Sequence, residues 1–147
     1  MLARDAMQTT VLCLHTQDEL LEAVQTLVRR GYSGAPVVDS DMHVVGILSE
    51  RDCLVSMSSA VFYASRPDTV GERMSSDVTV VHGDDDIFRV TSEFVSHPYR
   101  RLPVVDEQGR LIGLITRHDL LRFLDRVLHH TDAPQRRSFW ESLRRRL

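Results

Sequence analysis

The sequence predicts an α+β fold made of two β-α-β-β-α repeats related by a pseudo-twofold axis. Three observations carry that expectation. A shift of 67 residues brings residues 2–54 into register with 69–121 without a gap. Met7 then falls on Met74, His15 on His82, Asp18 on Asp85 and Tyr32 on Tyr99. Pro36-Val37-Val38-Asp39 falls on Pro103-Val104-Val105-Asp106, Gly46 on Gly113 and Asp52 on Asp119. Both copies also pass through the same order of apolar periods, alternating between strand-like and helix-like spacing. Finally, 147 residues with 42% hydrophobic and 27% charged side chains suit one compact soluble unit. A copy of roughly fifty residues is marginal alone, so two copies facing each other must share buried surface.

The elements follow in order. Residues 11–14 and 78–81 read as extended apolar stretches. In the first copy Thr16 is placed to cap a helix, and Glu19 to complete a capping box. Leu20, Leu21, Val24, Leu27 and Val28 mark one helical face, and Gly31 supplies the stop. In the second copy the face is Ile87, Phe88, Val90, Phe94 and Val95, and His97-Pro98 ends it. Strands are expected at 35–39 and 44–48, and again at 102–106 and 111–115. Their joins, Ser40-Asp41-Met42-His43 and Glu107-Gln108-Gly109-Arg110, are short and polar, as in hairpins. A second helix begins at Ser49 and at Thr116.

This gives a first unit with connector at 1–68, a second unit at 69–130, and an Arg-rich helical extension at 131–147. Phe62 and Tyr63 give the connector more apolar content than a flexible linker has, and both read as packing residues. Residues 1–121 hold eleven arginines and eighteen acids, whereas 122–147 hold seven arginines and three acids. Beyond Pro134 a short helix is expected from 138 to 147, with Phe139, Trp140, Leu143 and Leu147 on one side. That side is read as packing on the domain or on a twin chain.

The formal charge of -3 argues against nucleic acid as a partner. Cys13 and Cys53 sit in apolar runs and read as buried thiols; with no cysteine framework, a reducing compartment is expected. No stretch approaches eighteen consecutive apolar residues, so no transmembrane segment is expected. The N-terminus lacks the layout of a secretion signal, and the expected location is cytoplasmic.

The candidate site residues are duplicated as well. Gly46-Ile47-Leu48-Ser49-Glu50-Arg51-Asp52 is matched by Gly113-Leu114-Ile115-Thr116-Arg117-His118-Asp119. Each places a hydroxyl residue where a strand becomes a helix, with a carboxylate three residues later. One reading is a capping box with Asp in the usual place of Glu. The other is an anion site: a helix start presents unpaired N–H groups to a phosphate. Ser49 or Thr116 would then donate to phosphate and Asp52 or Asp119 would accept from two ribose hydroxyls. Arg51, Arg117 and His118 would add positive charge. The two readings are compatible if the carboxylate points away from its own backbone.

These pieces resemble the CBS domain, named after cystathionine beta-synthase, in a tandem pair (a Bateman module) of the small stand-alone bacterial type. The resemblance covers residues 2–121. It rests on Gly34-Ala35-Pro36-Val37-Val38-Asp39 followed by the Gly46–Asp52 motif, and on Arg101-Leu102-Pro103-Val104-Val105-Asp106 followed by the Gly113–Asp119 motif. It implies a CBS-domain pair acting as a regulatory or sensor module. The implied ligands are AMP, ADP or ATP, with NAD or S-adenosylmethionine as further members of the class, held in two clefts between the units. By the same resemblance Asp52 or Asp119 holds ribose and Ser49 or Thr116 assists near phosphate. The stretches Tyr32, Ser33, Gly34, Ala35 before Pro36, and Tyr99, Arg100, Arg101, Leu102 before Pro103, line the clefts. Thr10, Val11 and Leu12, and Asp77, Val78 and Thr79, approach the base. A homodimer is implied, with a regulated protein that the sequence does not identify. Because Arg100, Arg101, Arg117 and His118 all belong to the second copy, the Thr116–Asp119 cleft ranks first for a multiply charged phosphate.

An enzyme is not expected. Ser49 and Asp52 lack a histidine partner, and His118 and Asp119 are adjacent on a helix and diverge. Cys13 lies in a hydrophobic run. His129-His130 lacks the spacing of a metal site, and Asp84-Asp85-Asp86 reads as a helix start. No Gly-rich phosphate loop of the Walker type is present, so ATP hydrolysis is not expected even where ATP binds, and the candidate residues include no site for a catalytic cofactor or a metal. The alternative is a non-catalytic scaffold with vestigial clefts, docking through its aromatic and Arg-rich C-terminal segment.

Overall fold

Nearly every element of the first copy returns 67 residues later with the same bounds. In the computed structural model, which describes residues 1–130 with Glu141, Arg144 and Arg145, the first set is α1 (Ala3–Ala6), β1 (Leu14–His15), α2 (Leu20–Arg30), β2 (Gly34–Val38), β3 (Val44–Ser49) and α3 (Glu50–Tyr63). The second set is α4 (Val70–Arg73), β4 (Val81–His82), α5 (Ile87–Ser96), β5 (Arg101–Val105), β6 (Leu111–Thr116) and α6 (Arg117–His130). The one offset is at the end of α5, which stops a residue early because Pro98 stands where Gly31 ends α2. Gly31 takes the left-handed conformation at φ 68°, as a helix-ending glycine should. Each copy forms a three-stranded sheet in the order β1-β2-β3 or β4-β5-β6. The first pair is parallel and the second is an antiparallel hairpin. The expected α+β class and the paired repeats are both present.

The repeated aspartates have identical jobs. Asp18 and Asp85 accept from the backbone N–H of His15 and His82 at 2.7 and 2.8 Å. Asp39 and Asp106 hold the hairpin turns by accepting from the N–H of His43 and Arg110, both at 2.9 Å. Asp86 caps α5 by accepting from Phe88 N–H at 2.7 Å, in line with the reading of the acidic run as a helix start.

The cores are not built from contiguous sequence. Ala3 and Ala6 of α1 pack with Val81, Ile87, Val90, Phe94, Leu102 and Ile115 of the second copy. Val70 of α4 packs with Leu14, Leu20, Leu27, Val37 and Leu48 of the first. The exchange is fixed by backbone bonds in both directions. Leu20 N–H donates to Asp68 O, Val70 N–H to Asp18 O and Gly71 N–H to Thr16 O, all at 2.9 Å. Their counterparts run from Ala3 N–H to Asp85 O, Arg4 N–H to Gly83 O and Ile87 N–H to Met1 O. Met74 thereby lies over Gly46, and Met7 over Gly113. A Cβ on either glycine would overlap the methionine sulfur, which accounts for two of the repeated identities together.

Several local expectations are corrected. The first strand of each copy is only two residues long, because Leu14 and His15 alone find partners, in Val37 and Val38. The helix α2 is capped at Glu19 without a side-chain bond. Thr16 gives its carbonyl to the exchanged segment instead. The buried stripe of α2 runs through Leu20, Ala23 and Leu27, and Val28 and Val95 face solvent at 75% and 81% exposure. Phe62 and Tyr63 do not pack, since the buried side chains of α3 stop at Ser56 and its last turn extends past the core. Cys53 is buried as expected, while Cys13 is half-buried. Glu141 and Arg144 are helical; the rest of the helix expected at 138–147, with Phe139, Trp140, Leu143 and Leu147, lies outside the described residues. Among the described residues no helix is long and apolar enough to cross a membrane.

The exchanged packing makes a directional prediction. Val70→Ala, at a fully buried position, should cost about 2 kcal/mol. In native-state hydrogen exchange the lost protection should appear in β1, α2 and β3 of the first copy. Loss confined to β4–α6 would contradict the exchange.

Candidate functional site: two matched clefts between the copies

Each cleft takes a helix start from one copy and loops from the other. The larger has a volume of about 620 Å³. Ser49, Glu50 and Arg51 open α3 on one side; Asp77, Val78, Thr79, Tyr99, Arg100 and Arg101 of the second copy face them. The smaller, about 230 Å³, sets Leu114 and Thr116 against Gln8, Thr10, Val11, Leu12, Tyr32, Ser33 and Gly34. The linings are pseudo-twofold mates, position by position. Ser49 corresponds to Thr116, Ile47 to Leu114, Ser75 to Gln8, Asp77 to Thr10, Val78 to Val11, Thr79 to Leu12, Tyr99 to Tyr32, Arg100 to Ser33 and Arg101 to Gly34.

This crossing relocates the charge. Arg100 and Arg101 face the Ser49 cleft, where Arg51 joins them. Arg117 and His118 are exposed and line neither cleft. Of the four cationic residues behind the ranking of the Thr116 cleft, Arg117 and His118 thus line neither cleft, Arg100 lines the Ser49 cleft and Arg101 lines both: the loop before β5 faces the helix start of the other copy. Of the remaining sequence candidates, Ser33, Ser49, Arg51, Val78 and Thr79 line the larger cleft, and Thr10, Val11, Ser33, Gly34, Pro36 and Thr116 the smaller. Ala35 and Leu102 are core residues at 1% and 0% exposure, and Pro103 is buried in β5. Asp52 and Asp119 sit behind their hydroxyl residues and line neither cleft.

Both motifs form capping boxes. Asp52 Oδ2 accepts from Ser49 N–H at 2.9 Å and Ser49 Oγ at 2.8 Å. Asp119 Oδ2 accepts from Thr116 N–H at 2.9 Å and Thr116 Oγ1 at 2.7 Å. The second oxygens differ. Asp119 Oδ1 accepts from Gln8 Nε2 at 2.7 Å and from Arg122 at 3.0 Å. Among the described residues nothing donates to Asp52 Oδ1. The mates of Gln8 and Arg122 are Ser75, which is too short to reach, and Val55, which has no donor.

Arg101 crosses between the clefts. It donates to Ser33 Oγ, and its guanidinium fills the space over Gly34 where a side chain would stand; a Cβ there would also come within 2.5 Å of Leu48 O. Burial lowers the Arg101 pKa from its usual value, the charge of Arg100 acts in the same direction, and Glu50 opposes both. Among the described residues no carboxylate forms an ion pair with it. A partly desolvated cation with one hydroxyl partner is a strong place for an anion. Beside it Tyr99 stacks on His97 at 5.0 Å between ring centroids and shares a 2.8 Å hydrogen bond with Thr79 Oγ1. This gives the larger cleft an ordered aromatic wall.

Gln8, Arg122 and Ser75 were not legible as site residues. The usable signal was the set of positions at which the copies differ. Asp39, Asp41 and His43 also gather their ligand-type atoms within 4.8 Å of one another, and the turn they close accounts for that.

Comparisons with known proteins place the two repeats in one family. A family model for the CBS domain matches residues 3–59 and 70–126. Hypoxic response protein 1 of Mycobacterium tuberculosis is 28% identical over 122 residues, covering 83% of this chain and 84% of that protein. The protein MJ1225 of Methanocaldococcus jannaschii is 28% identical over 121 residues, which are 82% of this chain and 42% of that relative. The chain thus spans less than half the length of that relative. Among solved structures, CBSX2 of Arabidopsis thaliana superposes with a TM-score of 0.75 at 25% identity, covering 86% of this chain and 95% of that one. The complex of CBSX2 with AMP gives 0.77 at 25% identity, covering 87% and 98%.

The bonds to Asp119 make a pH prediction. Burial alone would raise its pKa, but the hydrogen bonds from Gln8 and Thr116 and the charge of Arg122 bring it below the ordinary 3.8. The unfolded chain therefore takes up this proton first. The stabilisation stands in full above about pH 4 and is lost as pH falls through the lower folded value. Asp119→Asn should cost about 1–3 kcal/mol at neutral pH and flatten the acid limb of stability against pH. An unchanged acid limb in denaturant titrations would contradict this role.

Proposed function

The chain belongs to the CBS domain family, one domain in each repeat, and from that premise we propose that it is a regulatory module binding an adenosine nucleotide in the Ser49 cleft. The observation that carries the reading is the charge and shape of that cleft. Its volume of about 620 Å³ lies within the ordinary range for small-molecule sites of about 300–1,000 Å³. It has an aromatic wall, a helix start, and three arginines set among two carboxylates, Glu50 and Asp77. At the start of α3, a helix of fourteen residues, Glu50 N–H is taken by Ser33 O at 3.0 Å and Asp52 N–H by Ser49 Oγ at 3.3 Å, which leaves the Arg51 N–H for an anion beside Ser49. Arg51, Arg100 and Arg101 supply the countercharge. Val78, Thr79 and Tyr99 form the side against which a flat base lies. Asp52, set behind Ser49 and with no donor to its Oδ1 among the described residues, accepts from ribose once the ligand reaches past Ser49. AMP in the complex of CBSX2, at 25% identity, supports the ligand class.

In this role the module binds and carries no bond-making step. A ligand held between the copies biases their relative arrangement only through unequal affinity for two states. AMP, ADP and ATP share the adenosine and phosphate groups that the cleft addresses, and NAD and S-adenosylmethionine carry the same adenosine. The proposed setting is the cytoplasm.

A second copy of the chain is the proposed partner. Leu54, Val61, Phe62 and Tyr63 on α3, and Leu121 on α6, are large apolar side chains left 66–81% exposed. Leu54 and Leu121 are pseudo-twofold mates. Covering both helices with a twin would bury the face from both copies at once. Replacing Phe62 and Tyr63 together by Ser should halve the solution mass in light scattering, whereas a chain already monomeric before substitution would remove the dimer.

Nucleotide-stripped protein titrated calorimetrically with AMP, ATP, NAD and S-adenosylmethionine tests the main reading. At least one should bind below about millimolar. Arg101→Gln should weaken AMP about tenfold, the value of one charge-assisted hydrogen bond. The scaffold alternative is the outcome in which none of the four binds.

A further inference from the structure

The two clefts descend from one pattern, yet their carboxylates are in opposite states. Asp119 has both oxygens engaged, one by its own capping box and the other by Gln8 at 2.7 Å and Arg122 at 3.0 Å. It is 4% exposed. Asp52 has the same capping box, and among the described residues nothing donates to its second oxygen. The difference lies in two side chains and not in the backbone. Gln8 exchanges backbone hydrogen bonds with Leu114 in both directions at 2.9 Å, and Ser75 does the same with Ile47 at 2.9 Å. Gln8 and Ser75 therefore start from equivalent places, and only Gln8 reaches across to a carboxylate.

We infer that the chain holds one adenosine nucleotide, at the Ser49 cleft, and that Gln8 and Arg122 keep the Thr116 cleft closed to a second. This rests on the nucleotide reading above and fixes its stoichiometry. The Gln8 amide and the Arg122 guanidinium present to Asp119 the donors that a sugar edge would otherwise present. Gln8 lines that cleft, and a sugar reaching Asp119 behind Thr116 must displace both donors; the hydrogen bonds involve a charged acceptor, so affinity falls by at least about tenfold. The volume agrees: about 230 Å³ is below the usual range for a small-molecule site. Arg101, turned over Gly34, takes up part of the same space.

The test exchanges the residues between copies and counts bound AMP in the full chain by calorimetry. The unmodified chain should bind one AMP. Gln8→Ser with Arg122→Val, which copies the Ser75 and Val55 of the other cleft, should bind two; Gln8→Ser alone should show a weaker second event. The converse exchange, Ser75→Gln with Val55→Arg, should weaken the single AMP site at least about tenfold. Two equal AMP sites in the unmodified chain would overturn the inference and leave the nucleotide reading standing. So would a double variant that keeps its fold by circular dichroism and still binds one. Absence of AMP binding in every protein would overturn both.

Discussion

Everything in this molecule depends on the exchange of short segments between the two copies. Each copy lends the helix that closes the other's core, through Ala3 and Ala6 in one direction and Val70 in the other. The loan is anchored by main-chain hydrogen bonds on both sides. Neither sheet is finished without its neighbour, and the clefts exist because of the same crossing. The strand-to-helix junction of one copy is brought opposite the loops preceding β2 or β5 of the other. A ligand that bridges such a junction touches both copies by construction. This is the physical route by which binding between them can alter their arrangement.

Within that frame, the function is decided by departures from symmetry. Tandem duplication starts with two equivalent sites, and small changes separate them. Glycine at 34 and arginine at 101 make one copy the socket for a side chain of the other. Arginine at 100 faces serine at 33 across the axis. Glutamine at 8 and arginine at 122 occupy the second oxygen of one carboxylate, while serine at 75 and valine at 55 leave that of the other without a donor among the described residues. These exchanges gather arginines and an available acceptor on one side, where Glu50 and Asp77 stand among them. They leave the opposite side smaller and internally satisfied. A capping box and a ligand site are compatible at Ser49, since the cap uses one carboxylate oxygen only.

Much of the fold was legible because its determinants are local. The hairpin turns follow from Asp39 and Asp106, the helix stop from Gly31, and the junctions from Ser49-Asp52 and Thr116-Asp119. Each acts over three or four residues, and each recurs 67 positions later. The exchange was hidden because it leaves the repeat unit unchanged: α1 and α4 occupy equivalent sequence positions whichever core they enter. The same blindness misassigned the arginines, since sequence proximity to Thr116 gave no sign that Arg100 and Arg101 reach the Ser49 side. Phe62 and Tyr63 were misread because hydrophobic composition does not state where a helix outruns its core. Gln8 carried no signal at all as a lone polar residue. It becomes informative only when compared with Ser75.

The most direct measurement is a nuclear magnetic resonance titration of the stripped, isotopically labelled chain with AMP, read as backbone amide shifts. The account predicts saturable shifts at Ser49, Val78, Thr79, Tyr99, Arg100 and Arg101 at the first equivalent, with Thr10, Val11 and Thr116 nearly still. Shifts confined to Thr10, Val11, Tyr32 and Thr116, or no saturable shift on either side, would contradict it.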